Sequence, residues 1–268
     1  MSDLQQFVEL ELRTDGVAEI ILNRPEKRNA FDDEVIRQLL QAIAEVRSNK
    51  EIRALLLSSR GEHFSAGADL GWMQRMVNNS EQQNLEDARE LGQLMQQLDQ
   101  LEIPVVTLAQ GSSFGGALGL LACSDVVIAT DASLFCLSEV KIGLIPAVIS
   151  PFVSRAIGAR QARRYMVTAE MIDAATALQI GLIHETVSDE TALRERGEKL
   201  LKQLCNNSPA AMIASKQLAK YVADAPLTEA LFEETAKRIA RIRVSEEGQE
   251  GLNSFLQKRK PGWISGAK

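Results

Sequence analysis

The sequence predicts an α/β fold: strands and helices alternate through the first two thirds and helices fill the last third. Short apolar runs of strand length recur between longer amphipathic stretches that begin at N-cap residues, and beyond Pro151 the apolar spacing is almost entirely helical. Two glycine-rich turns, Ser65–Asp69 and Phe114–Gly119, each fall where a strand hands over to a helix. Phe7–Arg13 and Val17–Asn23 flank Asp15-Gly16, which is a hairpin signal. Asp32 can cap a helix running to about Ser48, and Arg53–Ser59 reads as a buried strand ending at Arg60-Gly61. A strand-like segment through Gly61–Phe64, a long polar helix over Ser80–Leu101 and a strand over Pro104–Ala109 follow, then a short helix from Gly116 and a strand over Val126–Ala129. In the last third Asp173, Ser188, Ser208 and Leu227-Thr228 mark helix starts.

The 268 residues are 45% hydrophobic and 25% charged, which suits a globular chain with a sizeable core. A net charge of -6 argues against a nucleic-acid partner, because phosphate backbones demand a basic surface. MSDLQQFVELELR has no cationic region before an apolar run, and no apolar stretch has membrane-span length, so a cytoplasmic protein without membrane attachment is expected. Cys123, Cys136 and Cys205 are odd in number and lack C-x-x-C spacing, as in a reduced compartment. His63 and His184 belong to no cluster with metal-ligand spacing, and no G-x-S-x-G elbow presents a serine. Acid–base work therefore falls to carboxylates, with no metal and no separate cofactor expected.

Ser65-Ala-Gly-Ala-Asp69 is either an ordinary turn or a segment that turns the Ala68 N–H to a ligand oxygen. Gln110-Gly-Ser-Ser-Phe-Gly-Gly-Ala-Leu-Gly119 either packs a helix closely or opens one at Gly116 whose N-terminal N–H groups favour negative charge. It lacks both the G-x-G-x-x-G register and a Gly-Lys-Ser/Thr phosphate loop. Glu139 sits between Leu137 and Val140, either as a cap carboxylate or as an acid desolvated enough to transfer protons. Together, two sets of backbone donors and a lone acid suggest enolate chemistry on a carbonyl. Trp72, Met73 and Met76 read as packing with an acyl pocket as the alternative, His63 as a packed or surface histidine, and Asp125 as a strand-start carboxylate.

The ordered set Asn23-Arg-Pro25 with Asn29-Ala30, Ala66-Gly-Ala-Asp69, Phe114-Gly-Gly116, Cys123-Ser-Asp125, Glu139 with Gly143, and Gly181-Leu182 resembles the enoyl-CoA hydratase/isomerase (crotonase) family over almost the whole chain. Leu137–Pro151 is similar to the bacterial methylglutaconyl-CoA hydratase branch, which serves leucine and acyclic-terpene breakdown. The resemblance implies a ClpP-like spiral of ββα units over residues 1–205 and a helical region over 206–268 that mediates a homotrimer or homohexamer. It implies that Ala68 and Gly116 donate N–H groups to the thioester oxygen and that Glu139 is a catalytic carboxylate. It also places Lys27, Arg28, Ala30, Ala66, Asp69 and Leu70 along the coenzyme A moiety, which enters as part of an acyl-CoA substrate. Phe255 and Lys258 would close over it, from the same or a neighbouring subunit.

Gly119 departs from the family pattern, standing where a two-carboxylate hydratase carries its first glutamate. With one acid, hydration of an enoyl thioester must pass both proton transfers through Glu139 and one water, or recruit a substrate carboxylate. Moving a double bond from Δ3 to Δ2 needs only one base. The expected activity is reversible hydration of a branched 2-enoyl-CoA of the 3-methylglutaconyl-CoA type. The alternatives are a Δ3,Δ2-enoyl-CoA isomerase and a non-catalytic acyl-CoA-binding protein.

Overall fold

The apolar runs on either side of Asp15-Gly16 form an antiparallel pair, β1 (Val8–Leu12) and β2 (Val17–Leu22), with Leu12 opposite Ala18. A computed structural model describes residues 6–264; residues 1–5, the start of the polar N-terminal stretch, lie outside the described residues. Every residue of β2 is buried, as in a strand covered on both faces. The helix α1 (Asp33–Ser48) begins where Asp32 Oδ1 accepts the Val35 N–H at 3.0 Å, and it buries Val35, Ile36, Leu39, Ala42, Ile43 and Val46. It crosses over to β3 (Ala54–Ser59), which lies parallel to β2.

The next elements are α2 (Leu70–Met76), α3 (Glu81–Asp99), β4 (Val105–Ala109), β5 (Ser112–Phe114) and α4 (Gly116–Ala122). They are followed by β6 (Val126–Thr130), β7 (Leu134–Cys136), α5 (Ser150–Thr168), β8 (Ile172–Asp173), α6 (Ala174–Gln179) and β9 (Glu185–Val187). A Ser80/Gln83 capping box starts α3. One sheet has six strands in the order β1-β2-β3-β4-β6-β9, and a second has three in the order β5-β7-β8. The segments β4-β5-α4 and β6-β7-α5 therefore each send one strand to each sheet before a helix, which is a repeating ββα unit. The helix α7 (Glu190–Cys205) covers one face of the large sheet through Leu193 and Leu201, and there Gly197 meets the Leu108 side chain. The remaining helices α8 (Pro209–Val222), α9 (Glu229–Val244) and α10 (Glu246–Leu256) complete the described chain.

Asp125 acts structurally at the start of β6: its carboxylate accepts the Val105 N–H at 2.7 Å and Lys216 Nζ at 2.6 Å, tying α8 to the sheet. The structure corrects three expectations. Gly61–Phe64 is a bend rather than strand, because Phe64 N–H donates to Gln110 O outside any continuous ladder. The last third contains β8 and β9, and β9 extends the large sheet against β6. The cap of α7 is Asp189, whose Oδ1 accepts the Ala192 N–H at 2.8 Å, while Ser188 Oγ donates to Asp189. A carboxylate one residue closer to the first turn wins that competition by its stronger acceptor.

Candidate active site

The site lies at the carboxyl ends of the parallel strands, where segment 24–31 is zipped to segment 66–69. Ala66 N–H donates to Arg28 O, Phe31 N–H to Gly67 O and Asp69 N–H to Phe31 O, at 2.7 to 2.8 Å. Arg24 organises this zipper from inside the protein. Its buried guanidinium pairs with Asp32 at 2.8 Å and Asp69 at 3.4 Å and stacks on the Phe7 ring. Asn29 Nδ2 donates to the Arg60 and His63 carbonyls, so the turn carrying Lys27 and Arg28 is fixed to the end of β3.

Lys27, Arg28, Ala30, Ala66, Asp69 and Leu70 are thus brought onto one patch of the surface, but in different states. Lys27 and Arg28 are exposed at the rim, Leu70 is exposed beside them, Ala66 is half-buried and Ala30 is buried. Asp69 is buried and fully engaged. Oδ1 caps α2 through the Gly71 and Trp72 N–H groups, and Oδ2 meets Lys27 Nζ at 2.9 Å and Arg24. Burial alone would raise its carboxyl, but the Lys27 hydrogen bond, the Trp72 N–H and the Arg24 charge hold it below the usual range. Its stabilising effect is therefore present above the ordinary carboxylate pKa and fades as pH falls through the depressed value. Asp69→Ala leaves a buried guanidinium short of one partner, and urea unfolding at neutral pH should register a loss of about 3 kcal/mol that shrinks on acidification.

The second segment runs alongside the first. Ser65 N–H donates to Ser112 O, and Phe114 N–H returns to Ser65 O. Gly67 (φ +88°) and Gly115 (φ +53°) both occupy the left-handed region, and both face crowded space. A Cβ on Gly67 would lie 3.0 Å from Phe114 O; one on Gly115 would lie 4.0 Å from Gly67 Cα and 3.3 Å from Glu139 Oε1. Most neighbouring amides are tied down: Gly67 N–H to Ser65 Oγ, Asp69 N–H to Phe31 O, Gly115 N–H to Cys136 O. Among the described residues the Ala68 and Gly116 N–H groups have no acceptor. Ala68 is exposed and Gly116, the first residue of α4, is half-buried, so both donors can reach a ligand.

Glu139 opens the 3-10 turn Glu139–Ile142, between β7 and α5. Its Oε1 faces Gly115, and its Oε2 is buried with no hydrogen-bond partner among the described residues. Burial raises its carboxyl above the ordinary value, opposed only by its own backbone N–H, and no neighbouring charge adds to the shift. Two free donors, two glycines in close approach and one desolvated acid form a cluster suited to holding a developing oxyanion while a proton moves.

Phe255 and Lys258 are not brought to this site within the chain. The helix α10 packs on α9 and α8, and hydrogen bonds from Arg53 to the Asn207 and Trp263 carbonyls fix that region to the amino-terminal end of β3. Phe255 is 81% exposed there. His63 serves packing, its Nδ1 accepting the Ser112 N–H, and Trp72 lies in the core. Burial pushes the Cys123 thiol up to about 12, which leaves it an inert core residue. Two residues stand inside sequence motifs without a role that the sequence assigns: Arg24, within Asn23-Arg-Pro25, and Gln110, which opens the second glycine-rich segment and ties the Ser59 and Gly61 carbonyls to it.

The sequence profile described as enoyl-CoA hydratase/isomerase matches residues 13–266. The chain belongs to this family. An enoyl-CoA hydratase from Shewanella pealeana is 47% identical, with a TM-score of 0.92 and 96% of each chain covered. AtuE of Pseudomonas aeruginosa is 36% identical, with a TM-score of 0.91 over 97% of this chain and 100% of that one. The enoyl-CoA hydratase AKT6-1 of Alternaria alternata is 31% identical over 255 residues, covering 93% of this chain and 81% of its own length. The fold is the crotonase fold, and the chain is an enzyme of the hydratase/isomerase family. No described helix is long and apolar enough to cross a membrane.

Proposed function

We propose that this crotonase-family enzyme adds water reversibly to a branched 2-enoyl-CoA of the 3-methylglutaconyl-CoA type, with Glu139 as its single acid–base. The observation that carries this is the desolvated Glu139 carboxylate, its Oε2 without a hydrogen-bond partner among the described residues and its Oε1 facing Gly115, where the two turns that carry the free Ala68 and Gly116 N–H groups meet. Ionised Glu139 accepts a proton from water as the water oxygen bonds to Cβ. The electrons of the C=C bond move toward the thioester oxygen, where Ala68 and Gly116 hold the enolate. The Glu139 carboxyl then returns that proton to Cα, the thioester carbonyl reforms and the carboxylate is regenerated. Lys27 and Arg28 suit the phosphates of coenzyme A, and Phe255 and Lys258 would complete the cover from a neighbouring subunit of a trimer. The branched acyl group is supported by the wording of Leu137–Pro151, and hydration by the name of the Shewanella relative.

A Δ3,Δ2-enoyl-CoA isomerase is the second reading, favoured by the presence of one carboxylate where hydration can use two. The ultraviolet band of the conjugated enoyl thioester discriminates when 3-methylglutaconyl-CoA, crotonyl-CoA and a 3-enoyl-CoA are compared. Loss of the band from a 2-enoyl substrate is the result expected for hydration. A band that appears only from the 3-enoyl substrate makes the enzyme an isomerase, and tight acyl-CoA binding without turnover makes it a binding protein.

A further inference from the structure

Glu139 sits at one end of a segment that leaves the core at Leu137, packs its 3-10 turn against α5 and is otherwise exposed. Its near anchor is the Gly115 N–H bond to Cys136 O at 3.0 Å, followed by a turn in which Leu144 N–H donates to Glu139 O and Gly143 takes φ +77°. From there Val140, Ile142, Leu144 and Ile145 are all exposed, at 36 to 73%. Contact with the core resumes at Pro146 and Ile149, immediately before α5, and Ile149 is 2% exposed.

Ile149 enters a socket made by a missing side chain. Gly115, the N-cap of α4, addresses Glu139, and Gly119 lies four residues on, within the helix. One turn deeper, a Cβ on Gly119 would lie 2.5 Å from Ile149 Cγ2 and 2.8 Å from Met95 Sδ. The adjacent Val148 lies 3.7 Å from the place of a Cβ on Gly92 of α3. The segment's far end is therefore wedged between two helices, each of which presents a glycine there.

We propose that Ile149, seated against Gly119, is a positioning residue for Glu139: it is the far anchor that holds the acid-bearing segment over the two backbone donors. Gly119 is then the socket of this anchor and not a gap in the chemistry. The proposal rests on Glu139 being the acid–base.

The test uses Ile149→Ala, Ile149→Val, Gly119→Ala and the double variant G119A/I149A. Hydration kinetics across pH are measured beside thermal unfolding. Ile149→Ala is expected to lower kcat by about 10 to 100-fold with KM within about 2-fold, since a displaced acid costs rate more than binding. The acid limb of its pH profile should move to lower pH as a loosened Glu139 gains water. Ile149→Val keeps a methyl in the socket and should stay within about 3-fold of the parent enzyme. The double variant, with a methyl at 119 in the space vacated at 149, should exceed Gly119→Ala in kcat and restore folding if that single change prevents it. Ile149→Ala with the parent kcat overturns the proposal, as does an equal loss in Ile149→Val with an unmoved pH limb. An active Glu139→Gln would instead sink the acid–base assignment, so the two failures are distinguishable.

Discussion

Glu139→Gln is expected to lower kcat for hydration by about 10⁴-fold while acyl-CoA affinity, read by isothermal titration, changes little. The magnitude stands at the top of the range for one general acid–base because the same carboxyl carries both transfers, from water and then to Cα. Gln preserves the volume beside Gly115, so the turn that carries the Gly116 donor keeps its shape. The parent enzyme should also carry its signature in pH. The active base is the ionised form, and burial raises the pKa of this group. The activity kcat/KM should therefore climb with pH along a limb that lies above the ordinary carboxylate range. A limb at the position of an exposed glutamate, or a glutamine variant with parent turnover, would remove Glu139 from the mechanism.

Gly115→Ala is expected to cost about 10² to 10³-fold in kcat, the scale of a lost oxyanion donor. A methyl there demands relief from φ +53° and from an approach of 3.3 Å to Glu139 Oε1. The backbone can rotate toward negative φ only by swinging the next amide, that of Gly116, away from its aim. Acid and donor are disturbed together, so the loss should appear in kcat with KM for the enoyl-CoA nearly unchanged. A variant whose KM rises while kcat holds would show that the Gly116 N–H serves binding alone.

The parts legible in the sequence are those decided by local chemistry. Asp32, Ser80, Ser208 and Thr228 each accept an N–H from their own first turn, so helix starts can be read without knowing what surrounds them. The strands β5, β7, β8 and β9 are two or three residues long and acquire their identity from partners far along the chain, which leaves no period to detect. The glycine turns and Glu139 can be picked out because left-handed backbone and an acid flanked by apolar residues leave local marks. Arg24 shows the converse. Its buried charge is tolerable only because Asp32 and Asp69 arrive from two other segments, and nothing near Arg24 in the sequence foretells them. Gly119 combines the two cases: the missing side chain is visible, while Ile149, which fills its place, comes from thirty residues later.

The helices α8, α9 and α10 bury between them only Leu231 and Ser254, whereas β2 to β4 are buried almost throughout. Leu227, Phe232, Val244, Phe255 and Leu256 meanwhile face water at 59 to 82% exposure. Beyond the ties from Asp125 to Lys216 and from Arg53 to Asn207 and Trp263, helices so little buried draw less support from tertiary packing than the central strands do. Resistance to local opening is therefore graded along the isolated chain, greatest in the central strands and least at the carboxyl terminus. Unravelling of this last region can proceed while the sheets and the glycine turns facing Glu139 stay intact.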